Sequence, residues 1–343
     1  VPLAALTLFL LYRYVPESRD EQTSGKLDWM GALCITGALG GIVFGLIEAG
    51  PLGFGDPVVG ASLAGGLLLL VAFVVIEAHA AAPMMPLDVF RSRTFTGTNL
   101  LTLLLYGGLG GSLYFFPFDL QQVHGYSPTA AGAAFLPFPL IIFALSRWTG
   151  GLMQRYGAKL PLIVGPIVTG VGFLLFTLPD IGGSYWTTFF PGVVVMSLGM
   201  SLVIAPLTTA VMNSVETHRS GVASGVNNAV SRAAGLLAIA VLGLVVAGTF
   251  NANLDAGLFS LNISPQVRIA MQAQRAKLAG APLPHGVSPA LRAQLEHTLK
   301  ESFAAGFRAS MILAAALAFV SALLAAWLIE GKPPQPKEAT GAA

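Results

Sequence analysis

The chain has 343 residues, 55% of them of the types AVILMFWYC and only 10% Asp, Glu, Lys or Arg, with a formal net charge of +2 and a mean hydropathy of +0.74. Soluble domains carry about 25% charged residues, so this composition cannot cover a water-facing surface; it excludes a soluble enzyme, a nucleic-acid binder and a disordered chain. The single cysteine, Cys34, rules out an intrachain disulfide and argues against a thiolate metal site, and no metal or cofactor is expected.

A helix needs about 20 apolar residues to cross about 30 Å of hydrocarbon. Runs of that kind fall at roughly 1–15, 30–48, 58–77, 97–119, 129–146, 160–178, 186–211, 222–248 and 303–329. They predict an all-α integral membrane protein with nine transmembrane helices. The runs are continuously apolar and do not alternate, which excludes a transmembrane β-barrel. The first run has no basic n-region and ends at Arg13 rather than at a small-residue cleavage site. It reads as a membrane span within a longer protein and not as a signal peptide.

Placing 16–29 inside puts eleven Lys and Arg on one side, while the three short loops 49–57, 120–128 and 179–185 on the other side hold none. By the positive-inside rule, 16–29, 78–96, 147–159, 212–221 and the tail 330–343 are expected to be cytoplasmic, in the cell (inner) membrane. Arg232 lies in the inner part of its helix and Arg308 starts the last one; the other five basic residues fall in the long outer loop 249–302. Ser127-Pro128, Ser264-Pro265 and Ser288-Pro289 each read as N-cap and first helical residue. Leu291, Leu295, Leu299 and Phe303 then form one apolar stripe, expected to belong to a helix that lies on the outer face or caps the bundle.

Five local patterns now carry a resemblance. They are Leu27-Asp28-Trp29-Met30-Gly31; Pro86-Leu87-Asp88-Val89-Phe90-Arg91-Ser92-Arg93-Thr94-Phe95; Leu120-Gln121-Gln122-Val123-His124-Gly125-Tyr126-Ser127-Pro128; Gly150 to Lys159; and Arg219 to Gly225 with Asn228 to Gly235. In this order, each on its expected side, they resemble the C-terminal three-fifths of a fourteen-helix major facilitator superfamily transporter of the drug:proton antiporter group. The resemblance implies that 1–15 is the last helix of an N-terminal bundle and that 16–96 holds a cytoplasmic loop and two linker helices. It further implies that 97–329 is the C-terminal six-helix bundle, with the outer loop 249–302, followed by the tail 330–343. It places the substrate near the bilayer midplane between two bundles that rock to alternate access.

By the same resemblance, 97–119 and 186–211 line the cavity. The first carries Tyr106, Tyr114, Phe115, Phe118 and Asp119, with Gln121 and Gln122 beyond; the second carries Met196, Ser197, Met200 and Ser201. Aromatic and Met side chains give adaptable apolar contact to varied amphipathic molecules, or ordinary helix packing. Asp119 stands where the family usually has Tyr. It is expected near the outer end as a solvated interfacial carboxylate, with proton coupling as its functional alternative. Gly150, Gln154, Arg155, Gly157 and Lys159 resemble the family's cytoplasmic loop motif, with Gly150 and Gly157 permitting a tight turn and neutral Gln154 in place of Asp weakening its charge latch. Asn227 and Asn228 are expected to hydrogen-bond across helices, and Arg232 to snorkel or to pair with Glu216 or a carbonyl.

These residues imply a proton-coupled secondary active exporter of small amphipathic molecules. Its partners are the lipid bilayer, the substrate, protons and the N-terminal bundle of the same protein, and nucleic acid is not among them. The alternative is a non-transporting membrane fragment lacking that bundle. A membrane enzyme is disfavoured: the five His (79, 124, 218, 285, 297) are scattered, and no nucleophile elbow or phosphate loop appears.

Overall fold

The computed structural model describes residues 2–14, 28–80, 83–261, 263–284 and 286–331. Its elements are α1 (Pro2–Tyr14), α2 (Trp29–Leu52), α3 (Pro57–His79), α4 (Arg93–Gln122), α5 (Pro128–Ala133), α6 (Pro137–Tyr156), α7 (Lys159–Leu175), α8 (Tyr185–Thr188), α9 (Phe190–Asn213), α10 (Ser220–Ser260), α11 (Pro265–Ala273) and α12 (Pro289–Leu328), with three 3-10 turns. No strand occurs among the described residues. Among the described residues, seven stretches are long and apolar enough to span a bilayer: α2, α3, α4, Pro128–Leu152, α9, Thr217–Ser260 and α12. α7 has 17 residues and α1 has 13, so both fall below that length.

Short polar side chains start the helices. Asp28 accepts from the Gly31 amide at 2.8 Å, Asp56 from Val58 at 2.8 Å, Ser127 from Ala130 at 3.2 Å and Ser288 from Leu291 at 3.3 Å. Each satisfies a donor that the first helical turn leaves free, and Pro57, Pro128 and Pro289 lose nothing in the position that follows.

Packing then depends on small residues. α12 packs against α4, α7 and α10; α4 lies between α10 and α12; α9 packs on α7 and α6; and the α2–α3 hairpin touches α10 through α2. A methyl placed on Gly110 of α4 would lie 2.9 Å from the Gly235 Cα of α10. One placed on Gly172 of α7 would lie 2.6 Å from the Met196 amide nitrogen of α9. Such close backbone approach maximises dispersion contact where lipid offers no hydrophobic drive.

The loops sort to the two ends. At one end Arg219 pairs with Asp88, the Arg93 guanidinium donates to the Trp327 carbonyl at 3.4 Å, and the Glu330 amide donates to Thr94 Oγ1 at 3.2 Å. At the other, Arg308 donates to the Pro179 carbonyl at 2.7 Å and to Asp180 at 2.9 Å, and the Tyr185 hydroxyl donates to the Ala134 carbonyl at 2.5 Å.

Three expectations are corrected. First, the long outer loop is largely helix. α10 does not stop at 248 and α12 does not begin at 303; at 41 and 40 residues each is about 60 Å long, twice the hydrocarbon thickness. Their extensions pair through Phe250, Leu254 and Leu258 against Leu295, Leu299 and Phe303, all buried. The Leu-rich stripe is therefore part of a stalk continuous with the last span and not a separate surface helix. Second, Arg308 lies at the middle of α12, not at its start. Third, α6 runs to Tyr156, so Gly150 is inside a helix and takes no part in a turn. The reversal is at Gly157, whose φ of +75° suits a residue without a Cβ.

Candidate functional site

A cleft opens between α4, α9 and α10, lined by Tyr106, Leu207, Thr208, Met212, Ser224, Asn227, Asn228 and Ser231, among others. Its walls combine hydroxyl and amide groups with apolar side chains. Asn227 is fixed from beneath: its amide donates to Thr102 Oγ1 at 2.8 Å and to Asn99 Oδ1 at 3.2 Å, both on α4. Asn99 in turn donates to the Phe95 carbonyl and Thr102 to the Thr98 carbonyl. Asn228 does not bridge helices, since it donates to the Ser224 carbonyl of its own helix and faces the cleft. Thr208, Ser231 and Asn228 together can donate to and accept from a neutral polar group, while Tyr106 and Leu207 offer apolar surface.

The α4 face that borders the cleft continues outward. Tyr106, Gly110, Tyr114 and Phe118 recur every four residues, all half-buried or exposed, and the Tyr114 and Phe118 rings lie 5.3 Å apart. Gln122 follows on the next turn, half-buried, with its Oε1 buried and unpartnered and its amide close to Gly280 of the outer loop. Arg232 is exposed one turn beyond Asn228 on the same face of α10. It does not pair with Glu216, which lies 3.6 Å from His218, because Arg232 stands about 18 Å along α10 from its first residue.

Three cavity candidates lie elsewhere. Met196 and Met200 are 0% and 1% exposed, packed in the core that α9 shares with α7 and not in the cleft. Ser197 and Ser201 are buried with them. Asp119 does lie near the outer end of α4, but it is not solvated: its residue exposure is 2%. Its carboxylate faces His124 Nε2 at 3.5 Å, the His124 ring packs edge-on against Phe189 at 4.9 Å, and Arg308 is near enough to act on it electrostatically. Asp119 thus points into the bundle, away from the Tyr106–Phe118 face. His124 was legible only as part of a turn motif; its i+5 distance from Asp119 gave no helical pairing signal.

At the opposite end the carboxylate–guanidinium pair of Asp88 and Arg219 joins the turn before α4 to the turn before α10, beside a recess lined by Ser92, Asn213, Val215 and Glu216. The hydrogen bond from Arg219 holds the Asp88 carboxyl below its usual range. Arg155 lies over the Tyr156 ring at 5.6 Å, and neither it nor Lys159 makes an ion pair among the described residues. The Gln154 side chain lies outside the described residues.

A bundle of long apolar helices with polar side chains facing a cleft between them defines a polytopic membrane protein. The family model of the Major Facilitator Superfamily matches residues 1–239, and the chain belongs to that superfamily, a family of transport proteins and not of enzymes. It is similar to the tetracenomycin C resistance and export protein of Streptomyces glaucescens, with 30% identity over 97% of this chain and 62% of that protein. It is similar to the multidrug resistance protein Stp of Mycobacterium tuberculosis, with 29% identity over 95% and 61%, and to the cephamycin export protein CmcT of Amycolatopsis lactamdurans, with 32% identity over 76% and 54%. The chain spans about three-fifths of the length of the first two.

Proposed function

We propose that the protein is a secondary active exporter of small amphipathic molecules, driven by protons and working by alternating access. The observation that carries this reading is the cleft of Tyr106, Thr208, Asn228 and Ser231 on helices of a Major Facilitator Superfamily chain; the export and resistance names of its relatives support it. In this reading nine helices cross the bilayer, with α1 and α7 as the two shorter spans. α1 closes an N-terminal bundle, α2 and α3 link the halves, and α4 to α12 form the C-terminal bundle. The N-terminal bundle of the same protein completes the cleft from its open side. The end bearing Asp88 and Arg219 faces the cytoplasm, in the cell membrane, a placement that the distribution of Lys and Arg supports.

Proton coupling is assigned to Asp119 with His124. A buried carboxylate beside an imidazole can hold or release a proton without exposing charge to lipid. The test is dye accumulation in everted vesicles from cells expressing the full-length gene product. Uphill uptake that a protonophore abolishes is expected, and uptake that only equilibrates would refute the proposal. A second reading, that the present polypeptide alone sits in the membrane without transporting, is favoured by the cleft's open side; the same assay on this chain by itself decides it.

A further inference from the structure

Two carboxylates at the end of the α2–α3 hairpin are left over by the transport reading. Glu77, in the last turn of α3, is 3% exposed. Its Oε2 accepts from the Met85 amide at 3.0 Å, which holds the segment leading to α4 against the hairpin. Its Oε1 is buried and has no partner. Asp28, the N-cap of α2, uses Oδ1 to accept from Gly31, and its Oδ2 is likewise buried and unpartnered. Both free oxygens face the same gap at Gly31: a methyl there would touch both Asp28 Oδ2 and Glu77 Oε1, the latter at 3.1 Å.

Among the described residues, no counter-charge acts on Glu77. The charged group acting on Glu77 is Asp28, of like sign. Elsewhere on α2, α3 and the turn before α4, Glu48 and Asp56 lie at or near the far end of the hairpin. His79 is exposed and bonded to the Val75 carbonyl, Asp88 is taken by Arg219, and Arg91 does not reach the pair. Two carboxylates of like charge facing one gap repel each other, and a proton on either removes that repulsion. A single proton meets both unfilled acceptors at once, because one protonated oxygen donates to the other.

We propose that Asp28 and Glu77 form a proton-binding carboxyl pair, with one proton held between Asp28 Oδ2 and Glu77 Oε1. The proton comes from water, and the pair then carries one negative charge in place of two. So held, it ties together the start of α2, the end of α3 and the segment before α4. The inference stands on the hairpin alone and does not depend on the transport reading.

Infrared spectroscopy of the chain in detergent micelles at neutral pH tests it. A band from a protonated carboxylic acid is expected in the parent protein and in Asp119→Asn. It should weaken by one carboxyl equivalent in Glu77→Gln, in Asp28→Asn and in Gly31→Ala, whose methyl fills the gap with both acids retained. Raising the pH should lower the protection factors at Gly31 and Met85, that is, exchange corrected for its intrinsic base catalysis, several-fold in the parent protein and not in Glu77→Gln. Should Glu77→Gln fail to fold, Gly31→Ala and the exchange measurement still decide the question. A band unchanged in all three hairpin variants overturns the proposal. So does a rise in unfolding temperature on adding sodium, magnesium or calcium that Glu77→Gln abolishes, because the occupant would then be a metal cation.

Discussion

Asn227 of α10 donates its side-chain amide to Thr102 Oγ1 of α4 at 2.8 Å, and the same nitrogen reaches Asn99 Oδ1 at 3.2 Å. One side chain therefore fixes the register of two long helices beneath the cleft. Interhelical hydrogen bonds in membrane proteins contribute about 0.6 kcal/mol on average and up to about 1.7. Asn227→Leu is expected to cost the upper part of that range, because Asn99 and Thr102 lose a shared partner. Asn228→Ala, whose amide bonds within its own helix, is expected to leave stability unchanged. Denaturant unfolding in micelles checks both.

Replacing Asp119 by Asn removes the carboxyl group facing His124, and replacing His124 by Gln removes the imidazole ring. If the pair couples protons, either change in the full-length protein shifts the pH dependence of dye efflux. Efflux with the parent pH profile in both variants would dismiss the role.

Gly199 of α9 sits against α7 with no room for a side chain: an added methyl would touch Thr169 and come within 2.6 Å of the Gly165 carbonyl. Both contacts are fixed, the second being backbone. Gly199→Ala is expected to destabilise the protein by about 1–3 kcal/mol. Gly150→Ala meets nothing within 4 Å and is expected to be neutral or slightly stabilising through helix propensity. A comparison of unfolding midpoints separates the two.

The pair Asp88–Arg219 gives an acid-sensitive contact. The Asp88 carboxyl titrates below its ordinary range because Arg219 hydrogen-bonds its charged form. Its contribution to stability is thus fully present above the unfolded-state value of about 3.9 and is lost as pH falls through the lower folded-state value. Asp88→Asn should lose this increment near neutrality and become less acid-sensitive below about pH 4. Unfolding followed from neutral to acid pH, in parent and variant, reads the difference; parallel curves would count against it.

The stalk beyond the membrane depends on its seam. Leu295 is fully buried between the extensions of α10 and α12. Leu295→Ala is expected to cost about 2–5 kcal/mol, confined to the stalk. Amide exchange at residues 250–260 and 289–300 should rise while that in α4 and α7 stays unchanged.

Much of the architecture is written locally. A cap is settled within three residues, which is why Ser127, Ser264 and Ser288 could be read as helix starts before any contact was known. The long apolar runs mark where helices long enough to cross a membrane lie. The extent of α10 was not legible in this way. Its outer end, Thr249–Ser260, is polar enough to resemble a loop and stays helical because Phe250, Leu254 and Leu258 find a seam on α12.

What the sequence determined by itself is therefore the all-helical, membrane-spanning class of protein and the family to which it belongs. Only the tertiary structure decided which side of each helix turns inward. It buried Met196, Met200 and Asp119, left Tyr106 and Asn228 at the cleft, and joined Asp88 to Arg219 across 131 positions. The reason is physical: lipid-facing positions are as apolar as core positions, so a membrane helix has no polar stripe to announce its orientation. The choice falls to small residues such as Gly110 and Gly199, whose importance lies in what comes close to them.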